Sequence, residues 1–149
     1  MICKRIKLIK LKRNPYFVTE LKTGYVVLGD YQLFRGYALL LCKIHKQELH
    51  QLPVAFRKQF LWEMALVAEA VYRAFRPIRL NYELLGNTDH HLHWHIFPRH
   101  ANDPLPNRTV WNISKKIRFS KRTKPSKKTL EIYKIQLKKE LDRLIKKTP

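Results

Sequence analysis

The sequence is poor in glycine, cysteine and acidic residues, and it contains no long apolar run. Only 4 of its 149 residues are glycine while 45% are hydrophobic, which excludes a collagen-like or disordered chain and predicts one globular domain. No apolar stretch approaches the ~20 residues of a membrane span. Two cysteines, Cys3 and Cys42, cannot form a disulfide framework. Six of the first thirteen residues are Lys or Arg, unlike a secretory signal, so we expect a cytoplasmic protein without membrane association.

Negative charge is also scarce. Eleven acidic residues stand against thirty-one Lys and Arg, which gives a net charge of +20. The excess is concentrated towards the end of the chain, because residues 101–149 carry fifteen basic and four acidic residues. Such a protein attracts polyanions, including nucleotides, nucleic acids and anionic surfaces. Charge alone does not choose among them.

Hydrophobic patterning predicts an α+β domain dominated by an antiparallel sheet of about five strands. Residues 15–21 and 25–28 are expected to form a hairpin, and residues 37–42, 81–85 and 91–97 to form further strands, the last ended by Pro98. Residues 4–12 could be a short helix or an edge strand. A long amphipathic helix is predicted between Pro53 and Pro77. A second amphipathic helix ends the chain, so we divide it into a main domain over residues 1–112 and a basic segment with its helix, packed on the same domain, over residues 113–149.

Five of the seven histidines fall within residues 90–100, and three of them alternate with apolar residues. Side chains of a strand alternate between its two faces, so His91, His93 and His95 are predicted to share one face while the apolar residues turn to the core. Imidazoles in such a row could bind a metal, or could serve phosphoryl chemistry as nucleophile, donor and proton carrier. Only Asp89 and Asp103 are close in sequence as acidic ligands, and no cysteine is near. The residues therefore favour phosphoryl chemistry.

The sequence of residues 91–99, His-Leu-His-Trp-His-Ile-Phe-Pro-Arg, resembles the signature of the histidine triad (HIT) nucleotide hydrolases and transferases. Residues 24–30 and 36–45 resemble the family's strand–Asp–loop–strand segment, so the resemblance spans residues 15–99. It is close to small bacterial members described as diadenosine polyphosphate hydrolases. Tyr37 stands where many members have histidine, and Cys42 where many have proline.

The resemblance implies roles for eight residues. His93 would be the nucleophile, and its second ring nitrogen should then donate to a fixed acceptor, for which a backbone carbonyl is the expected group. The other expected catalytic residues are His91 and His95, flanking the phosphate, and His45. The expected substrate-binding residues are Asp30 at the ribose, Asn81 or Asn87 at the phosphate, and Thr88. No role is assigned to His50, His90 or His100.

These assignments predict an enzyme that cleaves a phosphoanhydride or phosphoramidate bond at the α-phosphate through a nucleotidyl-histidine. Dinucleoside polyphosphates are the first substrate expected. No metal ligand and no required cofactor are predicted, with Mg²⁺ acting only through a polyphosphate substrate, and family members commonly form homodimers. The alternatives are a nucleotide- or RNA-binding module with little turnover and, third, a metalloprotein built on the histidine strand.

The basic segment is not explained by the histidine motif. Residues 115–128 contain no acidic residue and eight cations: Lys115, Lys116, Arg118, Lys121, Arg122, Lys124, Lys127 and Lys128. They could form a solvated loop, steer polyphosphate substrates, or bind nucleic acid with Phe119 stacking on a base.

Overall fold

The computed structural model describes residues 1–147. Its helices are α1 (Ile2–Lys10), α2 (Val54–Phe75), α3 (Lys115–Arg118) and α4 (Lys127–Lys147), and its strands are β1 (Phe17–Glu20), β2 (Gly24–Leu28), β3 (Ala38–Cys42), β4 (Arg79–Glu83) and β5 (His93–Arg99). Single 3₁₀ turns occur at Leu49–Gln51, Val110–Asn112 and Lys121–Thr123.

The five strands form one antiparallel sheet in the order β1-β2-β3-β5-β4. Strand β5 is therefore inserted between β3 and β4, and its register places Leu39 opposite His95 and Leu41 opposite His93. The predicted α+β class with a five-stranded antiparallel sheet is confirmed.

One face of the sheet is covered by α2 and α4. Because strand residues alternate between faces, Val26, Leu40 and Ile96 all turn to this side, where they are fully buried. Phe60 of α2 and Leu137 of α4 complete the same hydrophobic cluster. The basic C-terminal helix thus packs into the core of the domain through its leucine stripe.

The opposite face of the sheet is only partly covered, and we call it the open face. Helix α1 packs Ile2, Ile6 and Ile9 on β2 and β3, against residues that include Leu39 and Leu41. Residues that follow β5 fold back over its far end, where Phe97 packs with Phe34, Val110 and Ile113. Neither of these two clusters includes the histidines of β5.

Several boundaries differ from the sequence prediction: β5 begins at His93 rather than at His91, and β4 covers residues 79–83 rather than 81–85. Pro98 does not end its strand: β5 continues to Arg99, with Pro98 opposite Leu80. Pairing with β3 stops at Ile96, so the missing N–H of Pro98 disrupts no ladder on that side. Residues 1–10 settle the open choice in favour of a helix, and residues 115–128 contain α3 and a 3₁₀ turn rather than a loop. Within residues 1–147, no helix is long and apolar enough to cross a bilayer.

Candidate active site

His93 is held in one orientation by the backbone of its own motif. Its Nδ1 lies 2.6 Å from the carbonyl oxygen of His91, and because a carbonyl only accepts, Nδ1 carries the proton and donates it. Burial lowers the pKa of His93, so the ring is neutral at pH 7 and Nε2 is unprotonated. The sequence analysis expected a backbone carbonyl as the acceptor for the nucleophilic imidazole, and the carbonyl of His91 takes that position.

His95 lies beside His93, with ring centroids 4.7 Å apart. Its Nδ1 is 2.6 Å from the hydroxyl of Tyr37. Burial, reinforced by the neighbouring His93 and Arg5, lowers the pKa of His95 to about 3. The imidazole is therefore neutral across the physiological range and acts as one hydrogen-bond donor and one acceptor.

His91 differs from the other two triad histidines because both of its ring nitrogens already have partners. Nε2 lies 2.8 Å from the carbonyl oxygen of Cys42, so it donates to that carbonyl. Nδ1 is 3.0 Å from Nδ1 of His45 and 3.3 Å from Sγ of Cys3. This geometry does not suit the predicted role of His91 beside the phosphate, because no ring nitrogen is left for a phosphoryl oxygen. The predicted catalytic residue His45 contacts His91 and Cys3 through its Nδ1.

Cys3, His45 and His91 form a cluster that could hold a metal ion, since their ligand atoms lie within 4.8 Å of one another. The pairwise separations of 3.0–3.3 Å are close to the ~3.3–3.6 Å between ligands of a tetrahedral zinc. The Cys42 carbonyl fixes the tautomer of His91 so that Nδ1 presents its lone pair to the cluster. Backbone carbonyls that accept from the other ring nitrogen orient metal-binding histidines in the same way. The sequence analysis considered only residues close to the triad in sequence, whereas the fold brings Cys3 next to His45 and His91.

The predicted substrate-binding residues are spread over three places. Asp30 follows β2 and forms an ion pair with Arg5 of α1, which leaves its second carboxylate oxygen available. Asn81 lies opposite Phe97, with its Oδ1 accepting from Arg99 at 3.3 Å. Asn87 and Thr88 lie in the exposed turn between β4 and β5. Of these four side chains, Asp30 and Asn81 contact arginines, Arg5 and Arg99 respectively.

Glu83 was missed by the sequence analysis. It is the partner of His95 across β4 and β5, so the two side chains share the open face. Its Oε2 is buried and, among the described residues, has no hydrogen-bond partner. Burial raises the pKa of Glu83, against the opposing effects of nearby Trp111 and of the charges of Arg118 and Arg99. Strand alternation together with the β4–β5 register could have placed it there.

Fold and site together define an α+β domain with a neutral, oriented histidine pair on an open sheet face. The HIT domain family matches residues 16–102, more than half of the chain. This protein belongs to the HIT domain family, a family of nucleotide-binding hydrolases and transferases.

Relatives agree with this assignment. The curated protein named "Protein hit" of Bacillus subtilis (strain 168) is 30% identical in an alignment of 75 residues that covers 47% of this chain and 52% of that protein. The chain thus spans about half the length of this curated relative.

Solved structures share the fold. A histidine triad protein from Bradyrhizobium japonicum matches with a TM-score of 0.74 at 20% identity, covering 89% of this chain and 94% of its own. A hypothetical histidine triad nucleotide-binding protein from Sulfolobus tokodaii matches with 0.73 at 20% identity, covering 95% and 93%. A histidine triad family protein from Mycobacterium smegmatis, described as zinc-bound, matches with 0.63 at 19% identity, covering 99% and 100%.

Proposed function

We propose that this protein is a nucleotide hydrolase or transferase that cleaves at the α-phosphate through a nucleotidyl group on His93. The observation that most directly supports this proposal is the 2.6 Å contact of His93 Nδ1 with the His91 carbonyl oxygen. That contact leaves a neutral Nε2 as the nucleophile before any substrate arrives. Family membership supports the reaction class, and the excess of cations supports an anionic substrate.

The reaction has two displacements. Nε2 of His93 attacks the α-phosphorus in line, forming a P–N bond while the bond from phosphorus to the leaving group breaks. Water, or another acceptor, then attacks the same phosphorus, the P–N bond breaks, and the imidazole is regenerated. His95 is close enough to supply a donor to the phosphoryl oxygens in both steps. Dinucleoside polyphosphates are the substrate class we propose first.

The test is AMP release from a panel of adenylated compounds that includes diadenosine tetraphosphate. With α-labelled substrate, rapid denaturation should trap label on the wild-type chain. His93→Asn should trap none and should lower turnover by more than about a thousandfold while binding nucleotide normally, because a nucleophile acts on the transition state.

His50→Asn is the matched control, since His50 is an exposed histidine far along the chain from the triad. It should retain wild-type turnover. More than a few per cent of activity in His93→Asn would exclude His93 as the nucleophile. Tight nucleotide binding without product or trapped label would instead favour the binding module.

We also propose that Cys3, His45 and His91 hold a zinc ion with a structural role. The spacing of their ligand atoms supports it, as does the description of the mycobacterial relative as zinc-bound. Zinc would polarise its ligands and join α1 to the segment that precedes β5. His93 and His95 are outside the cluster, so we expect the transfer steps not to require the ion.

A further inference from the structure

Tyr37 directly precedes β3, and its ring contacts side chains of β5. Its ring stacks on Phe97, with centroids 4.2 Å apart and 9° between the planes. It also lies nearly parallel to the ring of His95, at 13°. The three rings therefore form one ordered stack whose polar contact is the 2.6 Å hydrogen bond between the Tyr37 hydroxyl and His95 Nδ1.

The direction of that hydrogen bond follows from proton counting. Among residues 1–147, the Tyr37 hydroxyl has no other hydrogen-bond partner. If His95 Nδ1 donated to it, the hydroxyl proton would have no acceptor among these residues, and an unpaired donor is unfavourable. The hydroxyl therefore donates to Nδ1. A neutral imidazole that accepts at Nδ1 must carry its proton on Nε2.

The surrounding loop is shaped to hold the Tyr37 ring. A Cβ at Gly29 would lie 2.1 Å from the ring, so only glycine leaves room for it. The Tyr37 carbonyl accepts from the backbone N–H of Gly29 and from the side-chain amide of Gln32, each at 2.9 Å. Backbone and ring are thus both fixed against the strand that bears His95.

We propose that Tyr37 is a positioning residue that holds His95 in the tautomer with its proton on Nε2, as a ready donor to the phosphoryl group. The role of that donor in turnover rests on the proposed function, whereas the tautomer is a property of the free protein. Other charged or titratable groups face His95 from His93 on the same strand, Glu83 on β4 and Arg5 on α1. None of them makes a hydrogen bond to His95 within the described chain.

The first experiment is ¹⁵N NMR of the imidazoles in the substrate-free protein, with His95 assigned by its loss in His95→Gln. The wild-type protein should show His95 protonated at Nε2 and unprotonated at Nδ1. Tyr37→Phe, which keeps the ring stack and removes the hydroxyl, should shift the Nδ1 signal and admit the other tautomer. A wild-type His95 protonated at Nδ1 would overturn the proposal.

The second experiment measures turnover of the best substrate of the adenylated panel. Tyr37→Phe should lower kcat by about tenfold, the value of one hydrogen bond of ordinary strength, with a smaller change in KM. Tyr72→Phe removes an exposed tyrosine hydroxyl on α2 and should change neither quantity. A Tyr37→Phe protein that folds normally and keeps both the wild-type tautomer and the wild-type kcat would refute positioning by Tyr37.

The two proposals fail separately. If no compound is turned over but the tautomer depends on Tyr37, the positioning role stands and the hydrolase proposal fails. If label is trapped on His93 while His95 is indifferent to Tyr37, the reverse holds.

Discussion

Each triad histidine has a ring nitrogen bonded to a different partner. These partners separate His93 and His95, proposed to act on substrate, from His91, proposed to bind metal. His93 donates to a backbone carbonyl and His95 accepts from Tyr37, so both rings are ordered, and Nε2 of each has no hydrogen-bond partner within residues 1–147. His91 donates from Nε2 to the Cys42 carbonyl, so its Nδ1 serves the cluster with Cys3. Under the two proposals, the local partner of each ring decides whether that ring serves substrate or metal.

Removal of the Cys3 thiolate tests the proposal that Cys3, His45 and His91 bind zinc. Wild-type protein should contain about one zinc per chain, and Cys3→Ser should bind it far more weakly, because one of three protein ligands is lost. Excess zinc at about 100 times its Kd should stabilise the wild type by ~2.7 kcal/mol. Calorimetry with and without a chelator measures this, with His50→Asn as the control. An equal response of Cys3→Ser and wild type would remove Cys3 from the site.

At the scale of elements, the pattern of apolar residues predicts each strand and the long helix within a few residues, because one face of each must be buried. Alternation along the strand also predicts that His93 and His95 share one face, where their rings are neighbours, whereas His91 precedes β5. Tertiary pairing explains what the pattern does not contain: Cys3 and Glu83 reach the site through α1 packing and strand register. The amphipathic pattern of α2 also does not predict that the acidic residue Glu63 is almost fully buried, at 2% exposure.

Glu63 connects α2 to the turn of the β1–β2 hairpin. Its carboxylate accepts from the backbone N–H of Thr23 at 3.0 Å, from the Thr23 hydroxyl at 2.5 Å and from Gln59 at 3.1 Å. A carboxylate accepts several hydrogen bonds at once, which explains why an acidic residue can be buried in an otherwise apolar stripe.

Glu63→Gln should therefore destabilise the protein by about 1–3 kcal/mol, because the new amide group turns a donor towards donors of the turn. Urea unfolding measures the loss. Glu69→Gln is the matched control on the same helix: Glu69 pairs with Arg73 on the surface, and such pairs contribute at most about 1 kcal/mol. Equal losses in both variants would contradict the buried role of Glu63.

At the scale of the whole molecule, β1 and β4 are the two edge strands of the sheet in the described chain. Strand β4 pairs only with β5, and the adjacent Ile78 and Tyr82 are exposed. An exposed edge with apolar side chains is where a second copy could pair. The homodimer expected from the family resemblance stays a prediction.

The basic segment is folded onto the domain beside the open face. The Gln32 N–H donates to the Thr123 carbonyl at 2.7 Å, and Phe119 packs edge-on against Tyr31 at 5.3 Å. Arg118 lies over the ring of Trp111 at 4.7 Å. Within the described chain, none of the eight cations of residues 115–128 pairs with a carboxylate, whereas Lys134, Lys138 and Arg143 of α4 do. Uncompensated charge next to the site favours steering of anionic substrates.

Removing the positive charges of the basic segment should slow the capture of anionic substrates. In the test variant, seven exposed cations become glutamine and Arg118 is kept for its packing; the seven are Lys115, Lys116, Lys121, Arg122, Lys124, Lys127 and Lys128. The control removes seven other exposed cations, so that net charge is equal: Lys10, Lys12, Lys22, Lys58, Lys139, Lys146 and Lys147.

We expect the test variant to lose about tenfold or more in kcat/KM for polyphosphate substrates at low salt, with kcat nearly unchanged and the difference fading as salt is added. The control should lose much less, because its cations lie outside the segment. Oligonucleotide affinity is measured on the same proteins. A steeply salt-dependent affinity that disappears only in the test variant, with kcat/KM unaltered, would identify the segment as a nucleic-acid surface instead. If neither property changes, the cations serve solubility and steering is refuted.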